Sequence, residues 1–286
     1  MKNVFAEVYR IFKKAPLHIS LILLMDIAGA IIWAANPYII GVCIDDLLGR
    51  KYCWLCIFIA LQLLLIALRT ADKILDTRIY SRIIEEESTT YYEKIIRTDA
   101  DDSKISSLLD RVDDIPNFLE INLFDFLSMA GGIIFSLIFI FSISGLFVLL
   151  LAVSVSIVVP FATYRFQKDI ALNNENRKNI DEARVNIIAS RKIERYKEHI
   201  RKALSLDIIN SDLDAKTYLL TDLLQTVLLV IAIISTIHAG SYTSGQLFST
   251  ITYVMMLNDY VGEINESIIV VKDLQDTVSR LERNAK

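Results

Sequence analysis

Six apolar runs, each close to the length that crosses a lipid bilayer, constrain this chain more than any other feature. Hydrophobic residues make up 53% of its 286 residues, and the charged residues gather between the runs. A bilayer core of about 30 Å needs roughly 20 apolar helical residues, and a helix satisfies its own backbone polar groups. We therefore expect an all-α membrane protein with six transmembrane helices, over residues 19–44, 52–68, 121–143, 145–164, 218–239 and 245–271.

The basic residues predict the side of the membrane on which each segment lies. All but two of the 30 Lys and Arg residues lie at the termini or in two long polar segments, residues 69–120 and 165–216. The exceptions, Arg50 and Lys51, lie in a short connection on the opposite side. Because basic segments stay cytoplasmic, we expect both termini and both long segments inside, in a membrane that we take to be a bacterial cytoplasmic membrane.

Residues 1–18 predict an amphipathic lead-in helix that precedes the first run. Val4, Val8 and Ile11 share one side of this helix, which would lie along the inner membrane surface. The remaining residues, 19–286, are expected to form one six-span domain.

The two long polar segments carry helical periodicity rather than loop composition. Apolar residues recur at helical spacing over residues 68–96, directly after the second run, and again over 165–216 with a break near 186–191. Both segments therefore predict long helical hairpins on the cytoplasmic side, with very short connections outside.

Four short segments resemble those of one transporter family. Residues 36–45 (NPYIIGVCID) are similar to the segment that ends its first span, and residues 107–114 (SLLDRVDD) to the stretch before its third. Residues 242–247 (YTSGQL) resemble the start of its sixth span, and residues 277–282 (TVSRLE) the segment that follows. In this order, they make the whole chain resemble the transmembrane domain of an ATP-binding cassette (ABC) exporter.

The resemblance implies that this chain works together with partner subunits. Members of the family place six spans in each half of a domain-swapped dimer, so we expect a homodimer or heterodimer. The phosphate-binding pattern G-x-x-x-x-G-K-[ST] does not occur in the sequence. We therefore expect no enzymatic activity, catalytic residue, metal site or cofactor on this chain, and ATP and Mg²⁺ only on a separate ATPase subunit.

The resemblance also places two ATPase-docking tips at the ends of the cytoplasmic hairpins. The first carries Asp99, Asp101 and Asp102, where family members present apolar and aromatic residues. The second lies near residues 185–194 and carries Ile187, Ile188 and Ile193. Three carboxylates at a contact are costly to desolvate without cationic partners. Either the ATPase is complementary and basic at this point, or the coupling is lost.

The sixth run contains the candidate substrate pathway. Asp259, Glu263 and Glu266 follow i, i+4, i+7 spacing and share one side of a helix. Ionised groups at such depth face a cavity or a partner, and in the family this span lines the central pathway. Alternatively, the helix leaves the membrane early, or Lys and Arg of a neighbouring helix pair with these acids. Three further residues complete the candidate set, namely Asn258, Asn265 and the intramembrane Asp222.

Two functions of different classes follow from these expectations. The first is a transmembrane permease subunit of an ABC-type exporter that works by alternating access with a separately encoded ATPase. The alternative is a non-transporting membrane regulator or self-protection protein on the same scaffold, because fold does not determine function. The lipid bilayer is expected as the environment, and nucleic acid is not expected as a partner.

Overall fold

The computed structural model describes the backbone of residues 2–95, 112, 114–182, 184–238 and 242–284. Over these residues the chain is helical, as predicted. The helices in chain order are α1 Lys2–Phe12, α2 Pro16–Leu48, α3 Cys53–Ile95, α4 Asp114–Asn117, a π-helical turn Phe118–Asn122, α5 Leu123–Glu182, α6 Arg184–Ala189, α7 Ile193–His238 and α8 Ser244–Asn284.

Four described helices are long and apolar enough to cross a membrane, judged by length and composition. They fall within Pro16–Leu48, Cys53–Lys94, Ile115–Arg177 and Ile193–His238. These segments belong to α2, α3, the α4–α5 region and α7. The all-α membrane class is therefore confirmed, whereas six spans would require α5 to cross twice and α8 to cross once.

Gly145 divides α5 into two helical legs. Its backbone angles, φ 83° and ψ −179°, are not helical and lie in a region that glycine adopts at little cost. Next to it, the buried Ser144 hydroxyl pairs with the Thr236 hydroxyl of α7 at 2.9 Å. The break coincides with the short connection predicted between the third and fourth runs.

The predicted helical extensions are confirmed. Helix α3 runs without interruption from Cys53 to Ile95, well beyond its apolar part. In the second long segment, α6 ends at Ala189 and α7 begins at Ile193, which is the break expected near residues 186–191. Arg191 in this turn has a positive φ of 51°.

Two apolar clusters hold the helices together. One joins both legs of α5 to α7 and α8, through buried residues such as Val148, Leu228 and Leu257. The other joins α1, α2, α3, the π-helical turn and α8, with Tyr80 and Leu119 among its buried members. Each apolar side chain buried in this way contributes roughly 1.5–3 kcal/mol of transfer free energy where its exposed alternative is water.

Helices α2 and α8 cross closely, near the C-terminal end of α2 and the N-terminal end of α8. A Cβ atom placed on Gly245 would overlap the carbonyl oxygen of Gly41, and one placed on Gly41 would overlap Ser249. One helical turn further along α8, the Tyr253 hydroxyl donates to the carbonyl of Ala34 at 3.0 Å. Two of the family-like segments, 36–45 and 242–247, therefore form a single helix crossing.

Helix α1 is held to the C-terminal part of α3 by charge as well as by its apolar side. Ile11 is fully buried. Arg10 donates two hydrogen bonds to Glu87, with Nη1–Oε1 and Nη2–Oε2 distances of 2.9 and 2.7 Å. Lys14 reaches the same carboxylate at 2.6 Å. The lead-in helix is thus fixed to α3 by contacts between side chains.

Candidate functional site

The acidic side of α8 points away from the core of the chain. Asp259, Glu263 and Glu266 are all exposed, as expected for residues that share one side of a helix. Next to them, a Cβ atom on Gly262 would meet nothing within 4 Å. The single chain therefore presents a row of carboxylates beside an open backbone position.

The opposite side of α8 is apolar and buried. Tyr253, Leu257 and Val261 are each 0–2% exposed, and they pack against α5 and α7. The Tyr253 ring stacks on Phe139 of α5, with the ring centroids 4.6 Å apart and the planes 4° from parallel. This packing fixes the rotation of α8 and so sets the direction of its acidic side.

A second element adds a carboxylate to this side. Asp125, in the first turn of α5, is exposed and lies close enough for its charge to act on Glu263. Asp259 and Glu266 act on Glu263 in the same way. Four carboxylates from two helices are therefore in electrostatic contact, and each raises the local preference for a cation.

Two aromatic side chains that the sequence did not single out position this part of α8. Tyr260 lies next to the Trp33 indole of α2. Its ring also lies directly over Gly132 of α5, where a Cβ atom would overlap it. The Gly131-Gly132 pair was the available signal, because small residues in a span indicate close approach of a neighbour.

The two asparagines of the candidate set have different positions. Asn265 is 3% exposed, and its Nδ2 donates to the Pro160 carbonyl at 3.0 Å and to the Thr163 hydroxyl at 2.7 Å. It thus joins α8 to the second leg of α5. Asn258, about two helical turns before Asn265, is half-buried. The structure groups Asn265 with the packing side, away from the acidic row.

Asp222 lies on α7 and is exposed. Its backbone carbonyl accepts a hydrogen bond from Thr226 one turn later. Among the contacts of the described residues, none connects its carboxylate with the acidic row of α8. Its assignment to a pathway stays a prediction.

The two predicted docking tips are described unequally. Asp99, Asp101 and Asp102 lie outside the described residues. In the second tip, Ile188 of α6 is 55% exposed and Ile193, the first residue of α7, is 81% exposed. Two isoleucines are therefore accessible at the turn between these helices, as a hydrophobic docking contact requires.

Ile187 faces a cleft rather than open solvent. The cleft has a volume of about 740 Å³ and is lined by apolar side chains and by charged side chains of both signs, among them Ile180, Ile187, Arg195, Glu198 and Lys202. It lies between the end of α5, α6 and the start of α7.

The family model described as ABC transporter transmembrane region matches residues 9–245. This range runs from the last residues of α1 to the start of α8, so the acidic row of α8 lies beyond it. A search of curated proteins found no match.

Proposed function

Since the chain belongs to the family of ABC transporter transmembrane regions, we propose that it is the permease subunit of an ABC-type exporter. It crosses the membrane six times, forms half of a transport pathway, and depends on an ATPase carried by a separate polypeptide. ATP-driven closure at the inner hairpins tilts the spans between inward-open and outward-open states.

The six-span assignment draws on the two legs of α5 and on α8. The break at Gly145 lets α5 cross twice, over residues 121–143 and 145–164. Helix α8 begins at the same outer crossing where α2 ends, next to Gly41, and runs inward from there. With basic residues concentrated on one side of the resulting arrangement, both termini are cytoplasmic.

The observation that supports the proposal most is the acidic row of α8, which faces away from the core of the chain. Ionised carboxylates on lipid cost several kcal/mol, while Tyr253 and Leu257 fix this helix so that the row cannot turn inward. A water-filled cavity closed by a second six-span half would keep the carboxylates hydrated and so remove this cost. We therefore propose a dimer, as homodimer or heterodimer, in which the row lines the pathway.

The first experiment tests for a motor and for movement. The chain is purified in mild detergent, and co-purifying proteins are identified by mass spectrometry. Ser211, exposed on α7, is replaced by a spin-labelled cysteine after Cys53 and Cys56, which are free and exposed, are changed to serine. An ATPase partner and an ATP-dependent change in the distance between labels support a permease. If the chain forms a dimer in which the distance between the labels stays the same with and without ATP for every candidate ATPase, the result favours the regulator or self-protection protein instead.

The charge of the row predicts cationic cargo. In proteoliposomes with the partner ATPase, tetraphenylphosphonium should stimulate ATP hydrolysis more than the anion of the same shape, tetraphenylborate. Asp259→Asn should weaken the stimulation about fivefold, the factor that corresponds to about 1 kcal/mol of ion-pair energy. Asp212→Asn, at an exposed position of α7, is the matched control. Equal stimulation by both ions would show that the acidic row does not line the transport pathway.

A further inference from the structure

A second group of carboxylates lies on the cytoplasmic side of the bundle, apart from the acidic row of α8. Asp72, Asp76 and Tyr80 follow one another at four-residue spacing on α3, beyond the predicted second span, and so share one side of that helix. Asp26 of α2 is within hydrogen-bond reach of Asp72. Glu120, in the π-helical turn, is within reach of Asp76. We call these four carboxylates, Asp26, Asp72, Asp76 and Glu120, the inner carboxyl cluster.

Asp76 is the buried member of the cluster, the other three carboxylates are half-buried, and the cluster is short of hydrogen-bond donors. Asp76 is 5% exposed, and Oδ1 of Asp76 and Oδ1 of Asp72 are both buried without a hydrogen-bond partner. A buried acceptor without a donor costs about 1–3 kcal/mol, and more when it is charged. The positions of these two oxygens therefore require a donor that the side chains in their ionised form do not supply.

One cation lies next to the cluster among the described residues, and it is mostly in water. Nζ of Lys73 is 3.7 Å from Asp76 Oδ2 and 3.5 Å from Glu120 Oε1, and its side chain is 71% exposed. An exposed lysine at these distances is strongly screened. Four ionised carboxylates would therefore leave most of their negative charge uncompensated around the buried Asp76.

Among the side chains that the structure describes, the cations of the other packed helices are engaged elsewhere. Arg10 of α1 and Lys14, shortly after that helix, bind Glu87 further along α3. On α8, Nζ of Lys272 is 2.9 Å from the Tyr164 hydroxyl. The charges of all four carboxylates act on the Tyr80 hydroxyl, and the Tyr80 side chain is 1% exposed. Within the described residues, these groups leave the cluster without further charge compensation.

Burial and mutual repulsion act on the cluster in the same direction. Burial raises the pKa of Asp76 above its ordinary value, and the neighbouring Glu120 and Asp72 raise it further, against a smaller opposite effect of Lys73. A metal ion is a poor alternative compensation, because no three His, Cys, Asp or Glu side chains of the described residues are arranged to hold one. A proton has no such requirement for ligand geometry.

We propose that the inner carboxyl cluster binds protons, shared within the pairs Asp26–Asp72 and Asp76–Glu120, and thereby joins α2, α3 and the π-helical turn. A bound proton removes one negative charge and turns an acceptor pair into a donor and an acceptor. Loss of these protons to water as the pH rises restores repulsion across the junction. The packing around Tyr80, Ile83 and Leu119, which joins the same elements, then loosens.

Infrared spectroscopy of the whole protein in detergent tests this directly. A protonated carboxyl group has a carbonyl stretch separate from that of carboxylate, so the wild type should show this band near neutral pH and lose it in base. Asp76→Asn and Glu120→Gln should each reduce the band, whereas Asp212→Asn should not. A band that persists unchanged in both cluster variants places the proton elsewhere and overturns the proposal.

Thermal unfolding against pH supplies a second measurement. Because the folded protein holds protons that the unfolded carboxylates release near pH 4, wild-type stability should fall as the pH rises from about 5 to about 8. Asp76→Asn should raise the apparent Tm by about 5 °C at the higher pH and change it little at the lower. Parallel curves for wild type, Asp76→Asn and Glu120→Gln would contradict the proposal. Neither measurement needs an ATPase or a cargo, so its outcome is independent of the transport function.

Discussion

Asp45, near the C-terminal end of α2, accepts a hydrogen bond from the backbone N–H of Gly245 in the first turn of α8, with an Oδ1–N distance of 2.8 Å. Its other oxygen accepts from the Thr243 hydroxyl at 2.5 Å. Thr243 and Gln246 also bond reciprocally, side chain to backbone, at 3.1 and 3.0 Å. This capping box leaves the Gly245 N–H for Asp45, so that the start of α8 is completed from a different helix.

Replacement of Asp45 by alanine should therefore destabilise the start of α8. The change removes the acceptor for one unpaired N–H and the favourable charge at a helix N-terminus. We expect a loss of about 1–2 kcal/mol in the free energy of unfolding, measured by denaturant titration in detergent. Asp46→Ala is the matched control, because Asp46 makes one long contact, to the Trp54 N–H at 3.4 Å. Equal effects of the two variants would argue against the cap.

The crossing of α2 and α8 should tolerate no added methyl group. Gly41→Ala or Gly245→Ala would place a Cβ atom against the backbone of the opposite helix. Overpacking of this kind typically lowers the free energy of unfolding by about 1–3 kcal/mol and therefore lowers the Tm. Gly131→Ala adds the same group inside α5 where nothing lies within 4 Å. Unfolding midpoints of the three variants should separate the first two from the third. A Gly131 variant as unstable as the Gly245 variant would mean that helix crowding is not the cause.

The sequence could indicate both sides of this crossing but not their contact. Residues 36–45 and 242–247 each carry a recognisable local pattern, while the hydrogen bond that joins them spans a separation of 200 residues. The rotation of α8 was predictable in part, since the spacing of Asp259, Glu263 and Glu266 places them on one side. Its direction depends on the stacking of Tyr253 on Phe139, a contact between helices that no local pattern specifies.

Asn265 entered the candidate set for its polar side chain, and helical spacing already separates it from the acidic row. It lies two positions after Glu263, which is about 200° around the helix. The structure buries it at Pro160 and Thr163, because α5 passes on that side of α8. The inner carboxyl cluster also depends on packing: Asp26 of α2 and its neighbours on α3 are far apart in the sequence, and their proximity becomes apparent only when the helices are packed.

Asn265→Leu should lower stability more than Asn258→Leu. The first change removes two hydrogen bonds between α8 and α5 and leaves the Thr163 hydroxyl, which is 2% exposed, with one partner fewer. We expect a cost of about 1–2 kcal/mol for Asn265→Leu and less than half of that for the half-buried Asn258. Denaturant unfolding of both variants in the same detergent measures the difference. A neutral Asn265→Leu variant would show that these bonds do not hold the two helices together.

The attachment of α1 should depend on pH through Glu87. Burial acts to raise the pKa of Glu87, but the hydrogen bonds from Arg10 and Lys14 outweigh it, and the pKa lies below its usual value. A carboxylate with a lowered pKa in the folded state stabilises the protein above its unfolded pKa, near 4.3, and loses that contribution as the pH falls through the folded value. Glu87→Gln should therefore cost about 1–2 kcal/mol at neutral pH, discounted because Arg10 is partly exposed, and progressively less as the pH falls below the unfolded pKa.

The neighbouring Glu86 provides the control for this prediction. Its side chain is 64% exposed and contacts Lys14 at 2.8 Å, so Glu86→Gln should change the unfolding free energy by less than about 0.5 kcal/mol at any pH. Hydrogen exchange of the α1 amides reports the attachment itself, since a released lead-in helix exchanges faster. Glu87→Gln should accelerate exchange in α1 at neutral pH and leave the interior of α5 protected. If α1 stays equally protected in both variants, its apolar side around Ile11 suffices to hold it, and the ion pairs contribute no net stability.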